Sequence, residues 1–121
     1  MLLDSTILVD LVRDHDGAKR FVATLNRKPY ASVVTIAELI AGARSRKEEG
    51  VIGSLERWLH LVPVDAAIAH RAGVFLKLYE RAYGTDDLDA VIAATAEHHE
   101  LKLATLNVKH FPMFPKLKKA Y

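Results

Sequence analysis

The chain reads as a three-layer α/β/α domain built on a short central parallel sheet, and three observations lead there. Brief apolar runs alternate with longer stretches in which apolar residues recur at helical spacing. The runs lack the polar alternation of a strand with one wet face, so their strands are covered on both sides, as in a parallel sheet between helices. At 121 residues the chain has material for one core and not for two, so a single domain over residues 1–121 is expected.

Met1 to Leu3 is the first strand, and Asp4-Ser5-Thr6 turns it into a helix carried by Ile7, Leu8, Leu11 and Val12. A second amphipathic segment opens at Asp16-Gly17, places Ala18, Phe21, Val22 and Leu25 on one face, and ends in the Asn26 to Pro29 break. Tyr30 to Val34 is short and rich in β formers. Thr35 starts the next helix, with Ile36, Leu39, Ile40 and Ala43 inward; it continues through the charged Arg44 to Glu49 stretch and stops near Gly50. Val51 to His60 predicts another helix, and Leu61 to Val64 a strand that Pro63 keeps short or confines to a sheet edge. Asp65 opens a long helix through Tyr83, closed by Gly84. Asp86 to His99 is helical with Leu88, Val91, Ile92 and Thr95 on one face, and Leu101 to Ala104 is the last strand. In the tail, Phe111, Met113 and Phe114 are expected to pack on the domain.

Composition excludes several classes. With 50% apolar and 26% charged residues the chain is ordinary globular material, neither disordered nor of low complexity. Seventeen Lys plus Arg against fifteen Asp plus Glu leave a formal charge of +2, too little for an overall basic field. The absence of cysteine removes disulfides, thiolate zinc sites and a cysteine nucleophile, and agrees with a reducing compartment. No apolar run approaches the roughly 18 residues of a membrane span, and three apolar residues before Asp4 are too few for a secretion signal. A soluble cytoplasmic protein is expected.

In an open parallel sheet the ligand site lies beyond the carboxyl ends of the strands. Asp4 ends the first strand, Glu38 lies in the first turn of the helix after the second, and Asn107 follows the last. Asp86 and Asp89, three apart at the start of a helix, project from one side of it. Four carboxylates and a neutral amide are thereby directed to one sheet edge. Like charges gathered there call for a cation, and an all-oxygen set without paired histidines suits Mg²⁺ or Mn²⁺ better than zinc. Such an ion activates water and stabilises the leaving oxygen of a phosphodiester, which makes hydrolysis of nucleic acid the functional expectation. Each acid also has a plainer role. Asp4, Asp86 and Asp89 stand where helix caps stand, and Thr35-x-x-Glu38 fits a capping box in which Glu38 reaches back to a backbone N–H.

Asp89-Ala90-Val91-Ile92-Ala93-Ala94-Thr95-Ala96, followed by Leu103-Ala104-Thr105-Leu106-Asn107-Val108-Lys109-His110-Phe111, resembles the carboxyl-terminal signature of PIN-domain ribonucleases, and more narrowly of VapC toxins. Leu3-Asp4-Ser5-Thr6 and Thr35-Ile36-Ala37-Glu38-Leu39 match that family's first two motifs in order and spacing, so the resemblance spans the chain. It implies a PIN-like fold and a Mg²⁺-dependent endoribonuclease acting on RNA, commonly tRNA or rRNA, held inactive by a cognate VapB antitoxin and forming a homodimer. It also implies metal binding by Asp4, Glu38 and Asp89, with Asp86 one turn earlier as a further ligand. The family's usual acid in the last motif is replaced here by Asn107, or by His110 just before Phe111; Asn107 is taken as an amide that orients a ligand, and His110 as a neighbour of the site or a surface residue.

Two other classes compete. A phospho-acceptor signalling domain needs an acceptor Asp after the third strand, where Asp65 instead begins a helix. A catalytically inactive PIN-fold module that binds RNA or protein is the alternative that Asn107 and His110 leave open. The charge balance bears on this choice. Setting Asp4, Glu38, Asp86 and Asp89 aside from the fifteen acids leaves eleven against seventeen bases, a surplus suited to phosphates. Arg44, Arg46, Lys47, Lys109 and the Lys116 to Lys119 cluster are the candidate contacts.

Overall fold

The computed structural model describes all 121 residues. Strands β1 (Leu2–Leu3), β2 (Tyr30–Ser32), β3 (His60–Val62) and β4 (Leu103–Ala104) form one sheet in the order β3-β2-β1-β4. Every pairing is parallel, with Leu2 opposite both Tyr30 and Leu103, and Ala31 opposite Leu61. The short central parallel sheet and its helical layers are thus as expected, and β3, the strand that carries into Pro63, lies on an edge.

Side-chain alternation divides the core between the two faces. Leu2 and Leu103 point to one face, where α5 (Ala66–Tyr83) and α6 (Asp87–His98) pack through Ile68, Phe75, Ile92 and a run of buried alanines. Leu3 and Ala104 point to the other, covered by α1 (Ser5–Val12), α3 (Val33–Gly42) and α4 (Arg46–Trp58), with α2 (Asp16–Ala23) beside α1. Phe111 is fully buried and Met113 and Phe114 pack with it, as the tail was expected to do.

Caps explain where the reading of boundaries held and where it slipped. Asp65 accepts from the Ile68 N–H at 2.9 Å and Gly84, at φ 69°, closes α5 in the left-handed region open to glycine. Ser32, rather than Thr35, caps α3, so β2 ends at Ser32 and Glu38 falls in the second turn. The charged stretch does not extend α3. The chain breaks after Gly42, and Ser45 starts α4 by accepting from the Glu48 N–H at 3.2 Å while the Glu48 carboxylate accepts from the Arg44 N–H at 3.0 Å. Gly50 therefore sits inside α4 and stops nothing. Two faces also turn out differently. Ile40 is 57% exposed because the inward stripe of α3 is Thr35, Ile36 and Leu39. In α6 the buried face centres on Ala90, Ala93 and Ala94, whose small side chains let α5 and α6 approach, and Leu88 and Val91 are only half-buried.

Strand order reverses at β1: β2 lies on one side and β4 on the other. The crevice for a ligand opens at such a reversal, beyond the carboxyl ends of β1 and β4.

Candidate active site

Asp4 follows β1 and is 1% exposed. It occupies the position before α1 from which a cap would act, yet its side chain caps nothing. Its Oδ2 accepts from Thr105 Oγ1 at 2.7 Å and Thr6 Oγ1 at 2.9 Å, and its Oδ1 from Ser5 Oγ at 3.4 Å. The direction of the two threonine bonds is set by the backbone. Thr105 Oγ1 accepts from the Asn107 N–H and Thr6 Oγ1 from the Leu106 N–H, so each hydroxyl proton is directed to the carboxylate. Asp4 is thereby held in place from both strand ends.

Asp86 and Asp89 form a reciprocal capping box at the start of α6. Asp86 Oδ1 accepts from the Asp89 N–H at 2.8 Å, and Asp89 Oδ2 accepts from the Asp86 N–H at 3.1 Å. Asp89 is 7% exposed. Burial pushes its carboxyl up to about 6, and the charges of Asp86 and Asp4 act the same way, against the Asp86 N–H and the nearby His110. His110 Nδ1 stands 3.1 Å from Asp89 Oδ2, and its backbone carbonyl accepts from Thr85 Oγ1 at 2.8 Å.

Glu38 is not a cap. Its Oε1 is buried without a hydrogen-bond partner, and so is Oγ1 of Thr35 one turn earlier on α3. An orphaned buried oxygen costs about 1–3 kcal/mol until something pairs with it.

Glu38, Asp86, Asp89, Asn107 and His110 line one open cleft of about 520 Å³, together with Ser5, Thr6, Val9, Asp10, Gly42 and Leu106. Asp4 does not line it; it lies buried behind Thr6 and Thr105, near enough for its charge to act on Asp89. As the side chains stand, no three acids or histidines are close enough together to enclose one ion. The donor set nonetheless fits a hard cation: all its oxygens are carboxylate, one is buried and unpartnered, and one carboxyl has its proton affinity raised by burial and, after it, by neighbouring negative charge.

One polar cleft residue was not put forward from the sequence, and another was placed only beside the site: His110, expected as a neighbour of the site or a surface residue, ends the short turn Val108–His110 that Asn107 opens and lines the cleft. Asp10 lies four residues after Thr6, one turn along the same face of α1, and that spacing is the only signal that could have found it.

A parallel sheet between helical layers, with acids after β1, on α3 and at the start of α6 brought to the end of the sheet where the strand order reverses, is the arrangement of a PIN domain, and the PIN domain family matches residues 1–116. The chain is 40% identical over 121 residues to Ribonuclease VapC10 of Mycobacterium tuberculosis, covering 98% of this chain and 90% of that protein. It is 37% identical over 127 residues to Ribonuclease VapC19 of the same organism, covering 99% and 98%. Among solved structures, a toxin-antitoxin complex from Klebsiella pneumoniae superposes with a TM-score of 0.82 at 28% identity, covering 99% of this chain and 97% of that one. The chain belongs to the VapC-type toxins of the PIN-domain family.

Proposed function

We propose that the chain is a Mg²⁺-dependent endoribonuclease, the toxin of a VapBC pair, that hydrolyses RNA phosphodiester bonds at the cleft between α1, α3 and α6. The observation that carries this reading is the unpartnered, buried Oε1 of Glu38 in a cleft shared with Asp86 and Asp89. Asp4, Glu38, Asp86 and Asp89 would hold Mg²⁺, with Mn²⁺ as a substitute. Bound there, the cation would supply the chemistry of activating water near neutral pH and offsetting charge on the phosphodiester oxygens.

The protein's own groups supply placement. Thr6 and Thr105 fix the Asp4 carboxylate through hydroxyl bonds that the backbone orients. His110, oriented with Nδ1 3.1 Å from Asp89 Oδ2, is placed in the cleft to give a proton to the oxygen that leaves phosphorus as the P–O bond breaks. The Asn107 amide, exposed at the cleft, donates to a phosphate oxygen without adding charge. The proposed substrate class is tRNA or rRNA, as the resemblance to the family implies.

A VapB-type antitoxin is the expected partner, supported by the toxin-antitoxin complex to which this fold is similar. A homodimer is the assembly that the resemblance to the family implies. No helix is long and apolar enough to cross a membrane.

The test is cleavage of total tRNA and rRNA by the purified chain with Mg²⁺, with EDTA, and as Asp4→Asn. Cleavage that needs the metal and Asp4 supports the reading. Full activity in EDTA, or an Asp4→Asn variant as active as the parent, overturns it. A chain that binds RNA and cuts none in Mg²⁺ is the inactive module.

A further inference from the structure

The tail beyond β4 returns across the molecule to α1. The Ala120 N–H donates to the Thr105 carbonyl at 3.0 Å, and the next residue, Tyr121, donates its phenolic O–H to Asp10 Oδ2 at 2.8 Å. The ring is seated between the two amino-terminal helices, 5.9 Å from His15 in a stacked pair and 5.7 Å from Phe21. Gly17 makes room for that seat: a Cβ there would lie 2.8 Å from the His15 ring and 3.2 Å from that of Tyr121. Burial, and the bond to Asp10 after it, push the Tyr121 phenol well above its usual range, so it stays a donor at any physiological pH.

Asp10 is a wall residue of the cleft, its side chain 26% exposed. Oδ2 takes the Tyr121 hydroxyl and faces His15 Nδ1 at 3.8 Å, whereas no protein donor reaches Oδ1. One helical turn separates Asp10 from Thr6, which places it one turn along α1 from the hydroxyl that binds Asp4, in the same cleft as Glu38, Asp86 and Asp89. A carboxylate there repels phosphates, so the groups it can receive from RNA are neutral donors: a ribose 2′-hydroxyl or a base amino group.

Resting on the ribonuclease reading above, we propose that Asp10 is a substrate-recognition residue that accepts a hydrogen bond from a neutral donor of the nucleotide flanking the scissile phosphate, and that Tyr121 is a positioning residue that holds Asp10 in place. The carboxylate is restrained through a contact made 111 positions away in sequence, so the tail sets how the cleft reads RNA.

The experiment measures the Kd of a short randomised fluorescent RNA by anisotropy, beside its cleavage KM and kcat, for the full chain and for Asp10→Asn, Tyr121→Phe, Tyr121→Leu and the Asp10→Asn/Tyr121→Phe pair. Tyr121→Phe keeps the ring in its seat and removes only the hydroxyl. The expected result is a rise in Kd and KM of about three- to tenfold in Asp10→Asn and in Tyr121→Phe, no larger in the pair than in the stronger single variant. With an RNA of defined sequence, 2′-deoxy substitution at the flanking nucleotide, or inosine replacing guanosine there, identifies which donor is received by raising the parent Kd to the Asp10→Asn level. A Tyr121→Phe variant that binds like the parent while Tyr121→Leu binds poorly assigns Tyr121 to packing and overturns the positioning role. Additive losses in the pair overturn the shared path, and parental Kd in Asp10→Asn overturns recognition by that residue. Because Kd needs no cleavage, an RNA that stays uncut in Mg²⁺ while its binding still depends on Asp10 and Tyr121 overturns the ribonuclease reading and leaves Asp10 as an RNA-binding residue held by Tyr121.

Discussion

Thr105 Oγ1 lies 2.7 Å from Asp4 Oδ2, a fully buried bond joining residues 101 positions apart at the ends of neighbouring strands. The same hydroxyl accepts from the Asn107 N–H at 3.0 Å, so it serves the carboxylate and the turn after β4 together. Thr105→Val removes the donor at nearly constant volume and leaves both groups short of a partner. A loss of about 1–3 kcal/mol in urea unfolding is expected, with Thr105→Ser recovering most of it. Equal stability for Val and Thr would mean that the bond contributes nothing.

Glu38 is expected to be the opposite kind of residue, one whose charge serves binding at the expense of stability. In EDTA, Glu38→Gln should be at least as stable as the parent, because the buried carboxylate oxygen it replaces has no partner. Isothermal titration with Mn²⁺ should show affinity reduced by at least about tenfold, the loss of one charged ligand. A destabilised Glu38→Gln with parental Mn²⁺ binding would place Glu38 in the structure and outside the metal site.

Asp89 makes a signed prediction about pH. Its carboxyl is raised from 3.8 to about 6 in the fold, so between these values the folded protein holds a proton that the unfolded chain has released. Its contribution is most favourable below about pH 4, falls as pH rises towards 6, and is flat beyond, a change on the order of 3 kcal/mol at most. Other carboxylates titrate in this range as well, so the quantity to measure is the difference between the parent and Asp89→Asn in EDTA. Stability of Asn over Asp should grow from pH 4 to pH 6 and then level off. A difference that shrinks over that range would contradict the buried, charge-crowded site.

Gly50 separates two descriptions of one segment. As the end of a helix in the left-handed region it would resist any side chain; inside α4, with no atom within 4 Å of a Cβ placed there, it should accept one. Gly50→Ala is expected to stabilise the protein by about 0.5–1 kcal/mol, and thermal unfolding reads the sign directly.

Much of the layer arrangement was legible because it rests on local chemistry. Apolar Leu2-Leu3, the Asp65 cap and the Gly84 stop act through their immediate neighbours, and the structure uses each as written. The slips came where one local pattern occurs twice. Thr35-x-x-Glu38 and Ser45-x-x-Glu48 look alike, yet only the second caps a helix, because Ser32 already caps α3 and Thr35 and Glu38 turn into the protein. For the candidate site, the chemical types of the acids were legible and their present duties were not. Asp86 and Asp89 cap α6 and line the cleft at once, so the plain and the functional roles assigned to them are not exclusive. Asp10 escaped notice, and His110 was weighed only as a neighbour of the site or a surface residue, because each takes its partner, Tyr121 or Asp89, from a distant part of the chain.

The pairing of β4 beside β1 also has a temporal meaning. During synthesis the amino-terminal three quarters of the chain can be complete while Asp4 still lacks Thr105, and the cleft wall formed by Leu106, Asn107 and His110 has yet to be made. A ribosome making this protein therefore carries a nascent chain without an assembled cleft, and assembly waits until the last strand has emerged from the exit tunnel.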